Sequence, residues 1–484
     1  MRVALAFVSI LAASYAMAAG IERSRPNAPS NAEMLNWASA IVEITEQYPQ
    51  FRRIGTPGDA KVRDYIQAQL ESIGFDSIEQ QSYETRVREY ESWSLSVAGK
   101  SIPAYFMRGA EYTSKSGVNG TLTYIGEAVD PNADYSGQIV VFDIRGQAVP
   151  GAVAEQLADF VHDPAGTLAR GTFGGKGGAI PRNFPVSYYQ LAEQGAVAMI
   201  GILKDYDNGT NQFYADPSAM VQTRIPGLFL GKHDGAALVK QIASAANTLP
   251  ATVKVSGRVK KSRSANIVAT LNGQKKDTLL INTHHDAGFS GAVQDASGVA
   301  AVLGLAKYFS KVPSNFRQKT LVFVFDGSHY DWNYPMGANI FAEQNPEVMA
   351  NTVLTIGIEH IAQKFKVVDG AYQDTGEVEP RILFTPPNQF LFDLTKRAIV
   401  KNGLTDVIVP KPGALTMFGE TQSFFLQGYP SFSLISGPEY LFLADDTVEK
   451  IATEEFEKVV GTFIDIVDGV MYKPGHWLQR IDRL

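Results

Sequence analysis

Three short apolar runs in the second half of the chain each break off at a histidine and a carboxylate. That repetition constrains the fold more than any other feature. Thr278-Leu-Leu-Ile-Asn-Thr283 is followed by His284-His285-Asp286. Thr320-Leu-Val-Phe-Val-Phe325 is followed by Asp326-Gly327-Ser328-His329, and Thr352-Val-Leu-Thr-Ile-Gly-Ile358 by Glu359-His360. Runs this short and this apolar read as strands buried on both faces. After the first comes Gly291-Ala-Val-Gln-Asp295-Ala-Ser-Gly298. A helix is then expected to Phe309, with Val299, Val302, Leu303 and Ala306 at helical spacing and Ser297 placed to cap it. Alternating buried strands and helices from 264 onward imply an α/β fold: a mixed, mostly parallel sheet with helices on both faces. Ligands of such sheets bind beyond the carboxyl ends of the strands. Four of the seven histidines, His284, His285, His329 and His360, fall there. Imidazoles and carboxylates in that place could ligate a divalent metal such as zinc.

Composition narrows the chemistry. There is no cysteine, so a metal site must be built from His and carboxylate, and no disulfide can form. Met1-Arg2 and the apolar run to Ala19, with Ala16-Met17-Ala18 at its end, read as a signal peptide over 1–18 and a secreted or periplasmic product. Residues 19–33 read as a flexible lead-in. No other stretch reaches the ~18 apolar residues of a membrane span. Loss of Arg2 with the leader takes the net charge from −7 to −8, which gives no electrostatic case for nucleic acid. Gly174-Gly175-Lys176-Gly177-Gly178 lacks the spacing of a phosphate loop. Neither a Gly-x-Ser-x-Gly elbow nor a His-Glu-x-x-His helix is present.

The order His-x-Asp, Gly-Ala-x-x-Asp-x-Ser-Gly, Phe-x-x-Asp-Gly and a strand ending in an acid resembles the co-catalytic zinc exopeptidases. These are family twenty-eight of the metallopeptidases, which includes aminopeptidases, glutamate carboxypeptidase and glutaminyl cyclase. Arg53-Ile-Gly-Thr-Pro-Gly58, the amphipathic segment to Ile73, Asn266-Ile-Val-Ala-Thr-Leu, Phe424-Phe425-x-x-Gly428 and Asp446-Thr447 fit the same resemblance, which spans roughly 34–110 and 264–470. It implies His284, Asp295 and Glu359 as ligands of one subsite, His329 as a further ligand, and one or two zinc ions. It places Asp286 behind His284. The family's catalytic and ligating glutamates fall at Ser328 and His329, and its last histidine falls at Phe442. The proton acceptor is then open among His360, His285, Asp326, Asp331 and Glu420.

Between about 113 and 260 the resemblance is interrupted by short strands and Gly-rich turns. That stretch resembles the protease-associated domain. The implied organisation is a discontinuous zinc exopeptidase-like domain, 34–112 and 261–484, with a β-rich insert over 113–260. His162 is expected in a surface loop of the insert. The implied function is a zinc-dependent exopeptidase, an aminopeptidase by the commonest activity, acting on short peptides. The alternatives are a non-cleaving peptide or carbohydrate binder and a glutaminyl cyclase-like or other amide hydrolase.

Overall fold

A computed structural model describes residues 25–179, 181–214, 224–329 and 336–483. The expected leader and Asp331 lie outside the described residues. The chain begins with α1 (Asn31–Glu46), α2 (Pro57–Ile73), β1 (Ser77–Val97), β2 (Val118–Tyr124), β3 (Gln138–Ile144), β4 (Ala158–His162), β5 (Ala198–Leu203) and β6 (Gly227–Leu230). It continues with β7 (Pro250–Leu271), β8 (Thr278–His284), α3 (Gly298–Ser310), β9 (Thr320–Asp326), β10 (Thr352–Ile358), β11 (Arg381–Phe384), β12 (Val407–Pro410), β13 (Ser431–Ser436) and α4 (Phe456–Met471), with shorter pieces between.

One large sheet has the strand order β6-β5-β3-β2-β7-β9-β8-β10-β13-β11-β12-β4. Strands β9, β8, β10 and β13 are parallel neighbours, as are β2, β3, β5 and β6. Strand β7 runs antiparallel to β2 and β9, and β11 runs antiparallel to β13 but parallel to β12. The expected mixed, mostly parallel sheet flanked by helices is therefore the observed architecture. Every residue of β8 and β10 is buried, as strands covered on both faces require.

Two features position the rest. Strand β7 pairs with β2 through residues 250–253 and with β9 through 267–271, so one strand belongs to both ends of the sheet. Its partner β1 follows it from Ser77↔Thr270 to Val97↔Ala251, with a bulge at Tyr90. The second feature is β4. It lies at the far edge of the sheet and pairs antiparallel with β12 at Val407↔His162. The surface loop expected around His162 is thus an edge strand, which gives the fully buried β12 a second partner. The 113–260 stretch contributes strands to both ends of the sheet.

Helix α3 is apolar on nearly every side and almost wholly buried. Such a helix needs cover all round. Helices α1 and α4 close on it at Gly304, where a Cβ would meet Met34 Sδ at 3.0 Å and Val460 Cγ2 at 3.2 Å. Helix α1 starts at Ser30, whose hydroxyl accepts from Glu33 N, and α2 starts at Thr56, which does the same for Asp59 N with Pro57 in the first turn. Leu303 and Leu305 are fully buried in this layer, and truncating either to Ala would cost ~2–5 kcal/mol.

Candidate metal centre

The carboxyl ends of β8, β9 and β10 bring together His284, His329 and Glu359. Each offers one ligand atom, and these atoms lie within 4.8 Å of one another. The imidazoles of His284 and His329 stack with centroids 4.2 Å apart and planes at 15°. Their orientation follows from what holds their other nitrogens. His284 Nδ1 sits 3.0 Å from the backbone oxygen of Asp286 and 3.6 Å from its Oδ1. His329 Nδ1 makes a short contact with Glu420 Oε2. Asp286 joins the two loops, because its Oδ1 also accepts from the backbone N–H of His329 at 3.2 Å. Glu359 spends one oxygen on the backbone N–H of Glu420, at 2.7 Å. Its other oxygen, Oε2, is buried without a hydrogen-bond partner and lies 3.8 Å from His360 Nε2. An orphaned buried carboxylate oxygen beside two imidazoles is the donor set a divalent cation satisfies.

The charge pattern agrees with that reading. Burial, helped by the nearby His329, lowers His284 to about 4, so it is neutral at physiological pH. Burial would lower His329 as well, but the Glu420 carboxylate prevails and lifts it to about 9. Burial raises Glu359 to about 7 against the pull of His329. Burial also opposes ionisation of Asp286, yet His284 and the other imidazoles hold it well below the usual carboxylate range.

Asp295, expected as a ligand, does not join this group. Its carboxylate accepts from the backbone N–H of Gly298 at 3.2 Å and of His360 at 3.0 Å, and from Thr283 Oγ1 in a short contact. It caps α3 instead, three residues ahead of Gly298. Ser297, the expected cap, donates to Val293 O and accepts from Ile361 N, both at 2.9 Å. Burial, reinforced by the charge of Glu359, raises Asp295 well above its ordinary value.

The candidate proton acceptors separate by orientation. His285 faces away, with Nε2 on Asp59 Oδ1 at 3.0 Å and Nδ1 on Phe325 O at 3.2 Å. Asp326 and Glu420 face each other in a carboxyl pair. Ser328 is buried at a positive φ of 65°. His360 donates from Nδ1 to Ser436 O at 2.7 Å, and its Nε2 is buried without a partner. Burial lowers it well below 6.5, so that nitrogen carries a lone pair. Phe442 packs with Tyr214 and Phe289 in an apolar cluster.

Two further residues hold the loop after β8: Arg52, which carried no signal in the sequence, and Asp446, which the resemblance marked without a role. The buried Arg52 guanidinium donates to the carbonyls of His285, Ser290, Gly291 and Gln294 at 2.6–3.1 Å and so holds the loop after β8. Asp446 accepts the N–H groups of Val293 and Gln294 at 2.8 and 3.0 Å.

Comparison with known proteins bears on the fold that carries this group. The family model for Peptidase family M28 matches residues 266–379, the stretch that carries all three clustered residues. No curated protein matches at the sequence level. Among solved structures, the chain is similar to a Peptidase M28 precursor from Shewanella amazonensis SB2B (TM-score 0.66, 16% identity, covering 91% of this chain and 94% of that one). It is similar to a zinc aminopeptidase from Bacillus subtilis (0.65, 17%, 92% and 95%). It is also similar to an aminopeptidase from Aneurinibacillus sp. strain AM-1 (0.59, 21%, 93% and 94%). At these identities the likeness is one of fold.

Proposed function

Because residues 266–379 carry a segment of peptidase family M28 in a fold shared with a zinc aminopeptidase, we propose that this protein is a secreted exopeptidase using one zinc ion to remove N-terminal residues from short peptides. The observation that carries the proposal is the convergence of His284, His329 and Glu359 within 4.8 Å. Two imidazoles and a carboxylate match the three protein ligands of catalytic zinc sites. Zinc held there would supply Lewis acidity towards a peptide carbonyl and an attacking water of lowered pKa.

The remaining chemistry falls to this chain's own residues. Ser328 has no basic group, so His360 Nε2 takes the proton, a role worth ~10²–10⁴-fold. Asp286 keeps His284 and the His329 backbone in one frame. A single ion is favoured because the carboxylates a second ion would need are engaged: Asp295 by three donors and Glu420 by His329. Secretion rests on the leader over residues 1–18.

The test is a panel of aminoacyl anilides and short peptides, assayed with and without chelator, beside metal analysis. The expected result is chelator-sensitive release of N-terminal residues with about one zinc per chain. Turnover that survives full metal removal rejects the mechanism. A second reading, a non-cleaving peptide binder, draws on the missing carboxylate at Ser328. Zinc and peptide bound without turnover would establish it.

A further inference from the structure

The loop that enters the short helix Gln422–Leu426 supplies no atom to the three-residue set, yet it touches two members of it. Glu420, fully buried, receives His329 Nδ1 with Oε2, and its backbone N–H donates to Glu359 Oε1 at 2.7 Å. Gly419, just before it, has a φ of 87°, and a Cβ there would fall 2.4 Å from the same Glu359 oxygen. The Glu420 carboxyl is backed in turn by the buried carboxyl of Asp326, and this neighbouring charge, added to burial, raises Asp326 well above its ordinary value. Asn282 Nδ2 reaches Asp326 Oδ2 at 3.4 Å, and Thr421 Oγ1 reaches Asn282 Oδ1 at 3.2 Å.

We propose that Gly419-Glu420 is the positioning element of the metal centre and that Glu420 is the partner which makes an imidazole workable at position 329. The proposal rests on the metal reading above. A carboxylate ligand needs no second anchor of this kind. An imidazole does, because it presents a lone pair from one nitrogen only when the other keeps its proton, and a hydrogen bond to that proton sets the ring's direction. Glu420 engages Nδ1, so Nε2 is the ring nitrogen that would face a metal held with His284 and Glu359. The N–H of the same residue turns Glu359 so that Oε1 is occupied and Oε2 is left for the ion. One loop residue thereby fixes the direction of two ligands that come from different strands.

The experiment titrates the metal-free full chain with zinc alone against a chromogenic chelator. The unaltered protein is compared with Glu420→Gln, His329→Glu and the double variant, and the melting temperature of each metal-free form is recorded. Glu420→Gln is expected to weaken zinc binding by ~10–100-fold, the range for loss of a residue that orients a ligand. In the His329→Glu background, where no Nδ1 proton needs holding, the same substitution is expected to cost less than about 2-fold. Should Glu420→Gln fail to fold, Glu420→Asp keeps the charge and withdraws it from Nδ1, and is expected to weaken binding by at least ~5-fold. Equal zinc affinity with and without Glu420 overturns the positioning role and leaves the metal site standing. Equal losses in both backgrounds show a merely structural residue. Failure of the unaltered chain to bind zinc removes the metal reading and this proposal together.

Discussion

His329 is raised to about 9 by Glu420 against the burial that opposes it, so it holds a proton at pH 7.5 that a metal must displace. Zinc uptake at pH 7.5 should therefore release about one proton per chain, read as the dependence of the calorimetric heat on buffer ionisation enthalpy. Affinity should climb roughly tenfold per pH unit up to about pH 9 and then level off. The metal-free protein should respond in the opposite sense. A raised folded pKa stabilises below the ordinary 6.5 and loses that contribution as pH rises through 9. Glu359, raised from 4.5 to about 7, adds a loss in the same direction over its own range. Melting temperatures of the metal-free form that rise between pH 6.5 and 9 would contradict this. His360→Ala tests the site from the other side: without that base, kcat should fall by ~10²-fold or more if proton transfer limits the unaltered chain. His284, His329 and Glu359 could be picked out in the sequence because each lies within four residues of the end of an apolar run. Asp295 stands apart from that group, because spacing places a carboxylate near a strand end without saying which way it points. Three hydrogen-bond donors, two of them backbone N–H groups, decide that direction.

Among the elements, the loop between β8 and α3 has the most to lose from single substitutions. Arg52→Ala would remove the donor that four buried carbonyls share, and is expected to cost about 3–5 kcal/mol in urea denaturation. Arg52→Lys should recover less than half of it, because a point charge cannot serve four acceptors from one plane. Gly298→Ala should cost ~1–3 kcal/mol, since its Cβ would fall 2.3 Å from Asp295 Oδ2 and break the cap of α3. A stability change below about 0.5 kcal/mol in either case would show that the loop is held by something else. The apolar elements were read closely from sequence: β8 runs one residue beyond its expected end, and β10 spans the expected 352–358. Strand β7 was seen only at its two apolar ends. Its middle, Gly257-Arg258-Val-Lys-Lys-Ser-Arg263, pairs with β1 alone and carries no apolar alternation. The hydrogen bonds that extend it there leave no mark in hydropathy.

At the scale of the molecule, β7 makes a single sheet of what the sequence suggested as a core and an insert. Calorimetric unfolding should accordingly show one cooperative transition that coincides with loss of far-ultraviolet dichroism, and two resolved transitions would separate the halves. The far edge of the sheet was the least legible part of the fold. The pairing of β4 with β12 is a topological fact that no local pattern encodes. That edge also sets a clock on synthesis. His162 Nδ1 meets Leu404 O, and the two residues are 242 positions apart in the chain. A ribosome adding ~5–20 residues per second needs roughly 12–50 s to close that interval. Throughout it the nascent β4 has no strand to join, and a partly built chain must be kept from aggregating until Val407–Pro410 emerges.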